Sequence, residues 1–379
     1  MAKLPPARVG SRVLVKKRPL PFSFWPMYKG TRRFGLQSTL FVLDPWTVIR
    51  DSLTQRCPTK SRAEALACLE QARDFYSSAM QANVAAARPL QLYYCFMNLA
   101  KALSLSSGTA ATFDTARHGL AEKLPPNGRE LVNAYLEAYP SSQSGPPNVF
   151  DELFATIAGN RLANPVRYDL KTLLPQVLPG HRLWASAANA TERFISAHAV
   201  RFFEDKPAKE LWLSLYFFAD DLSRLGVTRK RLLEESRIGA EFREVKCSEE
   251  AGGRQLVCFE QLRPLTYTGR PSDYIPSLAS GVKQYLWVTV GASPPYRRYY
   301  IYLAPIAEHP SVLPQLISIY AITFYLGSIT RYRPQQFDSI ITGVFGSRIE
   351  EFITGQPAQF VYLMASEFAR QEVTQPSIV

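Results

Sequence analysis

Helical runs toward both ends of the chain, with short aromatic-rich runs between them, predict an α+β fold: a mainly helical core and a small inserted antiparallel sheet. Three observations carry this. Residues 88–105 (R-P-L-Q-L-Y-Y-C-F-M-N-L-A-K-A-L-S-L) and 311–332 are each apolar around most of a helical circumference, the mark of a helix covered on nearly all sides. Between 196 and 305, branched and aromatic residues come in short runs separated by turn-forming residues, as strands do. With 46% hydrophobic and 20% charged residues, 379 positions suffice for one large core or two modest ones. The predicted organisation is a basic arm at 1–35, a helical region at 36–195, a sheet region at 196–305, and C-terminal helices at 306–379 that pack on the helical region.

The arm holds much of the charge. Net charge is +12, yet nine basic residues precede the first acid, Asp44, which leaves 35 basic against 32 acidic residues for the rest. Basic residues such as Lys16, Lys17, Arg18, Arg32 and Arg33 alternate with Phe22, Phe24, Trp25, Tyr28 and Phe34, a composition that can follow a phosphate backbone and stack on bases. The competing reading is an extended arm that packs its aromatics on the body and leaves its charges in water. No apolar segment follows the charges, so the stretch is no secretory signal, and its prolines rule out an amphipathic transit helix.

Taken in order, L-F-V-L-D near residue 40 predicts a short strand, followed by a helix from Pro45. Ser61–Ala86 predicts a second helix, with Ser61 and Glu64 as a capping box. Pro89 suits the first turn of the helix over 88–105. At about 100° per residue, Gln91, Tyr94, Asn98 and Lys101 share one narrow stripe of that helix. Residues 106–129 read as a loop containing His118-Gly119-Leu120, and Arg129–Tyr139 and Val149–Ala158 as shorter helices. Strands are expected at Arg201–Glu204 and Leu211–Phe218, then a helix capped by Thr228. Hairpins are expected from Phe242–Cys247 with Gln255–Phe259, and from Tyr285–Val290 with Tyr299–Leu303. Residues 311–332 approach the length of a membrane span, but Gln315, Ser318, Thr323 and Ser328 interrupt them, so a core helix is expected and no membrane. Arg331-Tyr332-Arg333-Pro334 ends it, cations and proline both suiting a helix C-terminus. Two helices follow, near Gln335–Thr342 and Arg348–Glu372.

The run R-P-L-Q-L-Y-Y-C-F-M-N-L-A-K-A-L, then H-G-L, then an apolar helix ending R-Y-R-P, resembles the YaaC-like family of bacterial proteins. The similarity covers most of the chain beyond the arm. It implies a bacterial cytoplasmic setting and carries no activity with it. Five cysteines without a C-x-x-C pair fit that reducing compartment. More distantly, the paired helices are similar to HEPN domains, helical bundles of RNA-cutting toxins and antiviral systems.

The HEPN resemblance implies an Arg and a His four to six residues apart on one helix. Arg193 and His198 have that spacing, although Phe194 stands where a polar residue is usual. Asp220 and Asp221 with Glu244-Val245-Lys246 match a D…E-x-K metal nuclease only if the carboxylates lie on neighbouring strands, and a predicted helix separates them. The four histidines do not cluster with cysteines, so no metal is expected. No phosphate-binding glycine loop, nucleophile elbow or H-E-x-x-H occurs, and no cofactor is expected. The stronger candidates are Asn98, Lys101, His118, Arg331 and Arg333. If the two apolar helices pack together, Lys101 and the arginines converge on an anion-binding cluster; otherwise Lys101 pairs with a buried carboxylate and the arginines cap helix carbonyls. The function expected first is a non-enzymatic cytoplasmic protein that binds nucleic acid or a protein partner, in a defence setting. The alternatives are a HEPN-like ribonuclease and a small-phosphate-binding regulator.

Overall fold

The computed structural model describes residues 4–15, 17–26, 39–123, 131–142, 144–308 and 311–376. The chain folds as α+β and divides into two units: a helical one from Val42–Ala190 and Ser311–Ala369, and a sheet-based one from Met1–Phe41, Thr191–Pro310 and Arg370–Val379.

In the helical unit, Asp44 caps helix α1 (Pro45–Arg56) by accepting from the Trp46 N–H at 3.0 Å, and Pro45 occupies a first-turn position where no N–H is needed. Helices α2 (Thr59–Gln81) and α3 (Arg88–Ser107) follow, and Gly108, at φ 78°, closes α3 in the left-handed conformation. Next come α4 (Val149–Ala158), α5 (Gln315–Tyr332), α6 (Pro334–Ile341) and α7 (Gly346–Ala369). Every residue of α5 from Gln315 to Ile329 is buried. Its main partner is α3: the Tyr93 ring meets Tyr320 and Phe324 edge-on. Phe96, on another face of α3, stacks on Phe360 of α7 at 3.8 Å. The approach of α3 to α5 is set at Gly327, where a Cβ would lie 3.0 Å from Tyr93 Cβ and 3.2 Å from the Pro89 carbonyl oxygen.

Three readings of this region need correction. The Ser61/Glu64 capping box does not form, because α2 starts two residues earlier with Pro58 at the cap. Ser61 Oγ donates instead to the Ala111 carbonyl, and Glu64 accepts from the Phe113 N–H. Residues 131–138 are not a helix but a 3₁₀ turn and a strand, Tyr135–Ala138. That strand lies between Leu120–Lys123 and Val166–Asp169 in an antiparallel sheet. The alternate burial of its side chains and its two pairing partners outweigh local helix propensity. The last helix stops at Ala369, and Glu372–Thr374 is a strand of the other unit.

The sheet-based unit is built on the strands Ser11–Arg12, Ala199–Asp205, Glu210–Phe218, Arg254–Gln261 and Phe242–Val245, adjacent in that order and antiparallel. Tyr216 lies opposite Ala199 on one side and Cys258 on the other. A second antiparallel sheet joins Trp287–Val290, Arg297–Tyr302 and Phe194–Ser196. Glu372–Thr374 runs parallel to Thr39–Phe41. Thr228 caps the short helix Arg229–Glu235 through the Arg231 N–H.

The described part of the basic N-terminal stretch, residues 4–15 and 17–26, packs on the sheet-based unit, in line with the reading of an arm that lays its aromatics on the body. Ser11–Arg12 forms the edge strand against Glu204 and Phe203, Val13 N–H donates to the Phe202 carbonyl, and Arg8 N–H donates to the Glu260 carboxylate. Phe22 packs against Phe202 and Tyr299, and Phe24 against Tyr299. An open strand edge and an apolar sheet surface give this segment both backbone and side-chain partners, which charge counting cannot reveal. Among the described residues no helix is long and apolar enough to cross a membrane.

Helix propensity alone favours Gly327→Ala by about 1 kcal/mol. The close approach reverses that sign: the added methyl forces α3 and α5 apart, and urea unfolding should show a net loss of about 1–3 kcal/mol. Equal or higher stability of the variant would show that the helices do not depend on this contact.

Candidate functional site

The stripe of α3 that carries Gln91, Tyr94, Asn98 and Lys101 is the floor of the site. Asn98 is only 3% exposed, and its amide makes no hydrogen bond to another described residue. Lys101 is half-buried and forms no ion pair with any described residue. A buried carboxylate partner for it, one of the two readings open from sequence, is therefore not what this side chain meets. On one flank stands α2: Phe75 stacks on Tyr94 at 5.3 Å, and Cys68 lies within electrostatic range of Lys101. Burial raises the Cys68 pKa and Lys101 opposes the rise.

The end of α5 brings Arg331 to the other flank. Its Nη1 donates to the Tyr94 hydroxyl at 3.2 Å, and its guanidinium sits 5.0 Å from the centre of the exposed Tyr332 ring. Arg331, like Lys101, has no carboxylate partner among the described residues. Arg333 is different: it pairs with Glu122 at 3.5 Å, and Glu122 also accepts from Ser328 Oγ at 2.6 Å. Lys101 and Arg331 thus both lie within electrostatic range of His118, whereas Arg333 has a structural ion pair.

His118 completes the cluster because the backbone around it is pinned. Arg117 N–H donates to the Pro147 carbonyl, Val149 N–H to Arg117, Phe150 N–H to His118, and Tyr139 N–H to Gly119. Gly119 has φ 77°, and a Cβ there would fall 2.8 Å from Asn148 Cβ. The H-G-L sequence therefore needs its glycine for both conformation and space. The His118 ring presents Nδ1 to the Tyr93 hydroxyl at 2.5 Å. Burial of that side lowers the His118 pKa, and Lys101 and Arg331 lower it further. Burial, then Tyr320, hold the Tyr93 pKa well above 10, so the phenol keeps its proton. A neutral imidazole nitrogen accepts far better than the Met97 thioether at 3.6 Å or the neighbouring Tyr320 phenol. Tyr93 accordingly donates to Nδ1, and the imidazole proton resides on Nε2. His118 is then an uncharged donor beside two cations.

The other sequence candidates lie elsewhere. Arg193 precedes the strand Phe194–Ser196 and pairs with Glu308 at 2.6 Å; His198 precedes the strand Ala199–Asp205 and lies against Phe218. The helix that their spacing presumes does not form, because both sit among sheet-forming residues. Asp220 and Asp221 both bind Arg254, and Glu244 pairs with Arg229 at 3.1 Å. No group of three or more metal-ligating side chains occurs among the described residues. Lys17 and Arg18 are exposed at a tight hairpin turn between Leu14–Val15 and Arg18–Pro19. Lys16, Arg32 and Arg33 lie outside the described residues.

Sequence reasoning missed two groups. Tyr93, which orients His118, reads as an ordinary core residue. Asp151 and Glu152 are both buried; they share Arg161, and Asp151 also accepts from the Ser141 and Leu162 N–H groups. That network is satisfied within the protein and serves structure.

A family model described as YaaC-like Protein matches residues 36–368. The chain belongs to the YaaC-like family. The match takes in α3, the H-G-L loop and the end of α5, the three parts that form the cluster. No curated protein and no solved structure matches the chain.

The depressed pKa of His118 fixes a pH dependence. Protonation is harder in the folded state, so the neutral form's contribution is complete above the unfolded-state value of about 6.5 and declines as pH falls below it. Between pH 7.5 and 5.5 the wild type should lose more unfolding free energy than His118→Gln, with the two compared by urea unfolding. Identical pH dependence in both proteins would show that His118 is not held neutral by its surroundings.

Proposed function

We propose that the helical unit binds a phosphate-bearing anion at Lys101, Arg331 and His118, so that the protein is a bacterial cytoplasmic binding protein for a phosphorylated ligand. The observation that carries this is that Lys101 and Arg331 both act on His118 while neither cation forms an ion pair with a described carboxylate. Like charges held near one another repel, more strongly where the medium is partly apolar. An anion with several acceptor oxygens reverses that sign and takes a charge-assisted hydrogen bond from each donor. The Tyr93–His118 bond supports the reading because it leaves the Nε2 proton free to donate without a positive charge on the ring.

The exposed Lys17 and Arg18 at the hairpin turn support a second reading, contact of the sheet-based unit with nucleic acid. Substituting both with serine should flatten the salt dependence of duplex binding, since each lost phosphate contact removes a slope of about 0.9 in log K against log salt. An unchanged slope would remove these two residues from any such contact.

Lys101→Met tests the main reading. A lysine paired to a buried carboxylate would lose about 3–5 kcal/mol on this change. An unpaired lysine among cations should lose little or gain stability, while binding goes. The wild type should melt higher in phosphate or sulfate, by about 2.7 kcal/mol of added stability at a hundredfold excess over Kd. Lys101→Met should melt at or above the wild type without the anion and show no increment with it. A large loss of melting temperature in the variant, with no anion effect on the wild type, would sink the proposal.

A further inference from the structure

The phosphate site has a neighbour that a phosphate alone does not explain. Asn98 is one helical turn before Lys101 on the same stripe of α3, where side chains three and four apart lie side by side. It is almost wholly buried, yet its amide has no hydrogen-bond partner among the described residues. An amide that makes no hydrogen bond within the protein keeps both its donor and its acceptor for a ligand. Gln91, two turns earlier on the stripe, has its Oε1 buried without a partner among the described residues, and a buried acceptor left unpaired is costly. Between them stands Tyr94, backed by Phe75, with Arg331 bonded to its hydroxyl and Tyr332 offering an open ring beside that guanidinium. From Lys101 to Tyr94 the stripe runs about 10 Å along the helix. Along it lie Lys101, the Asn98 amide and then Tyr94, whose hydroxyl holds Arg331.

Resting on the phosphate reading above, we infer that the ligand is a nucleoside monophosphate, its phosphate at Lys101, His118 and Arg331 and its base read by the Asn98 amide. An amide offers a donor and an acceptor side by side, the pattern complementary to the hydrogen-bonding edge of a base. The tyrosines reward a flat ring through stacking. A sugar phosphate would satisfy the amide through a hydroxyl but gains less from the aromatic end, and inorganic phosphate reaches neither.

The test is a calorimetric titration of the full chain with inorganic phosphate, ribose 5-phosphate and the four ribonucleoside monophosphates. At least one nucleotide should bind tenfold or more tightly than both ribose 5-phosphate and phosphate. Asn98→Leu should erase that preference and keep the phosphate affinity, and its melting temperature should hold because no hydrogen bond between described residues is lost. Asn98→Ala repeats the comparison if the larger side chain disturbs packing. Nucleotides no tighter than ribose 5-phosphate, or a preference that survives both substitutions, overturn the inference while leaving the phosphate site standing. A wild type that binds none of the six compounds removes both.

Discussion

The close packing of α3 on α5 is the constraint on which the helical unit depends. Both helices bury most of their circumference, so neither has a solvated side to which it could turn. Gly327 lets the Pro89–Tyr93 backbone approach α5, and the Tyr93 ring fills the space beside it against Tyr320 and Phe324. That packing holds the Tyr93 hydroxyl, which in turn orients His118. A residue chosen for the core thus also sets the tautomer of an imidazole on a loop. The site inherits its geometry from the core, and few of its own contacts are needed to hold it.

The same unit shows how differently buried cations can be held. Arg348 is completely buried and donates to the carbonyls of Leu174, Val177 and Pro179. Desolvation pulls its pKa down to about 10, and carbonyl dipoles at the end of a helical turn hold the charge there. Arg161 is held by two buried carboxylates. Lys101 and Arg331 have neither arrangement. Structural cations elsewhere in the unit are given carbonyls or carboxylates, whereas Arg331 has only the Tyr94 hydroxyl and Lys101 has no hydrogen-bond acceptor among the described residues.

The strongly periodic elements were legible in the sequence. The apolar runs of α3 and α5 have one stable place, and the order of strands and hairpins from 199 to 302 followed from their composition. The strand Tyr135–Ala138 was not legible, because its form comes from partners at 120–123 and 166–169. The N-terminal edge strand was hidden for the same reason: its partner at Phe203 and Glu204 is distant in sequence, and local composition describes only charge. At the site, Lys101 and His118 stood out as polar residues within motifs. Arg331 and Arg333 were indistinguishable until Glu122 claimed one of them, and Tyr93 carried no sign of its role because a phenol on an apolar helix looks like core.

The parallel pairing of Thr39–Phe41 with Glu372–Thr374 joins segments 333 residues apart. On a ribosome, the first of these segments emerges long before its partner exists. Until residue 374 is free, the buried Val373 position and the acceptor that the Thr39 and Tyr299 hydroxyls share at Glu372 stay empty. The sheet-based unit therefore passes through synthesis with an open edge, whereas the helical unit has all its segments once Ala369 has emerged. Maturation of this chain has a built-in order: the segment at Thr39–Phe41 waits for a partner made 333 residues later before the pair can close.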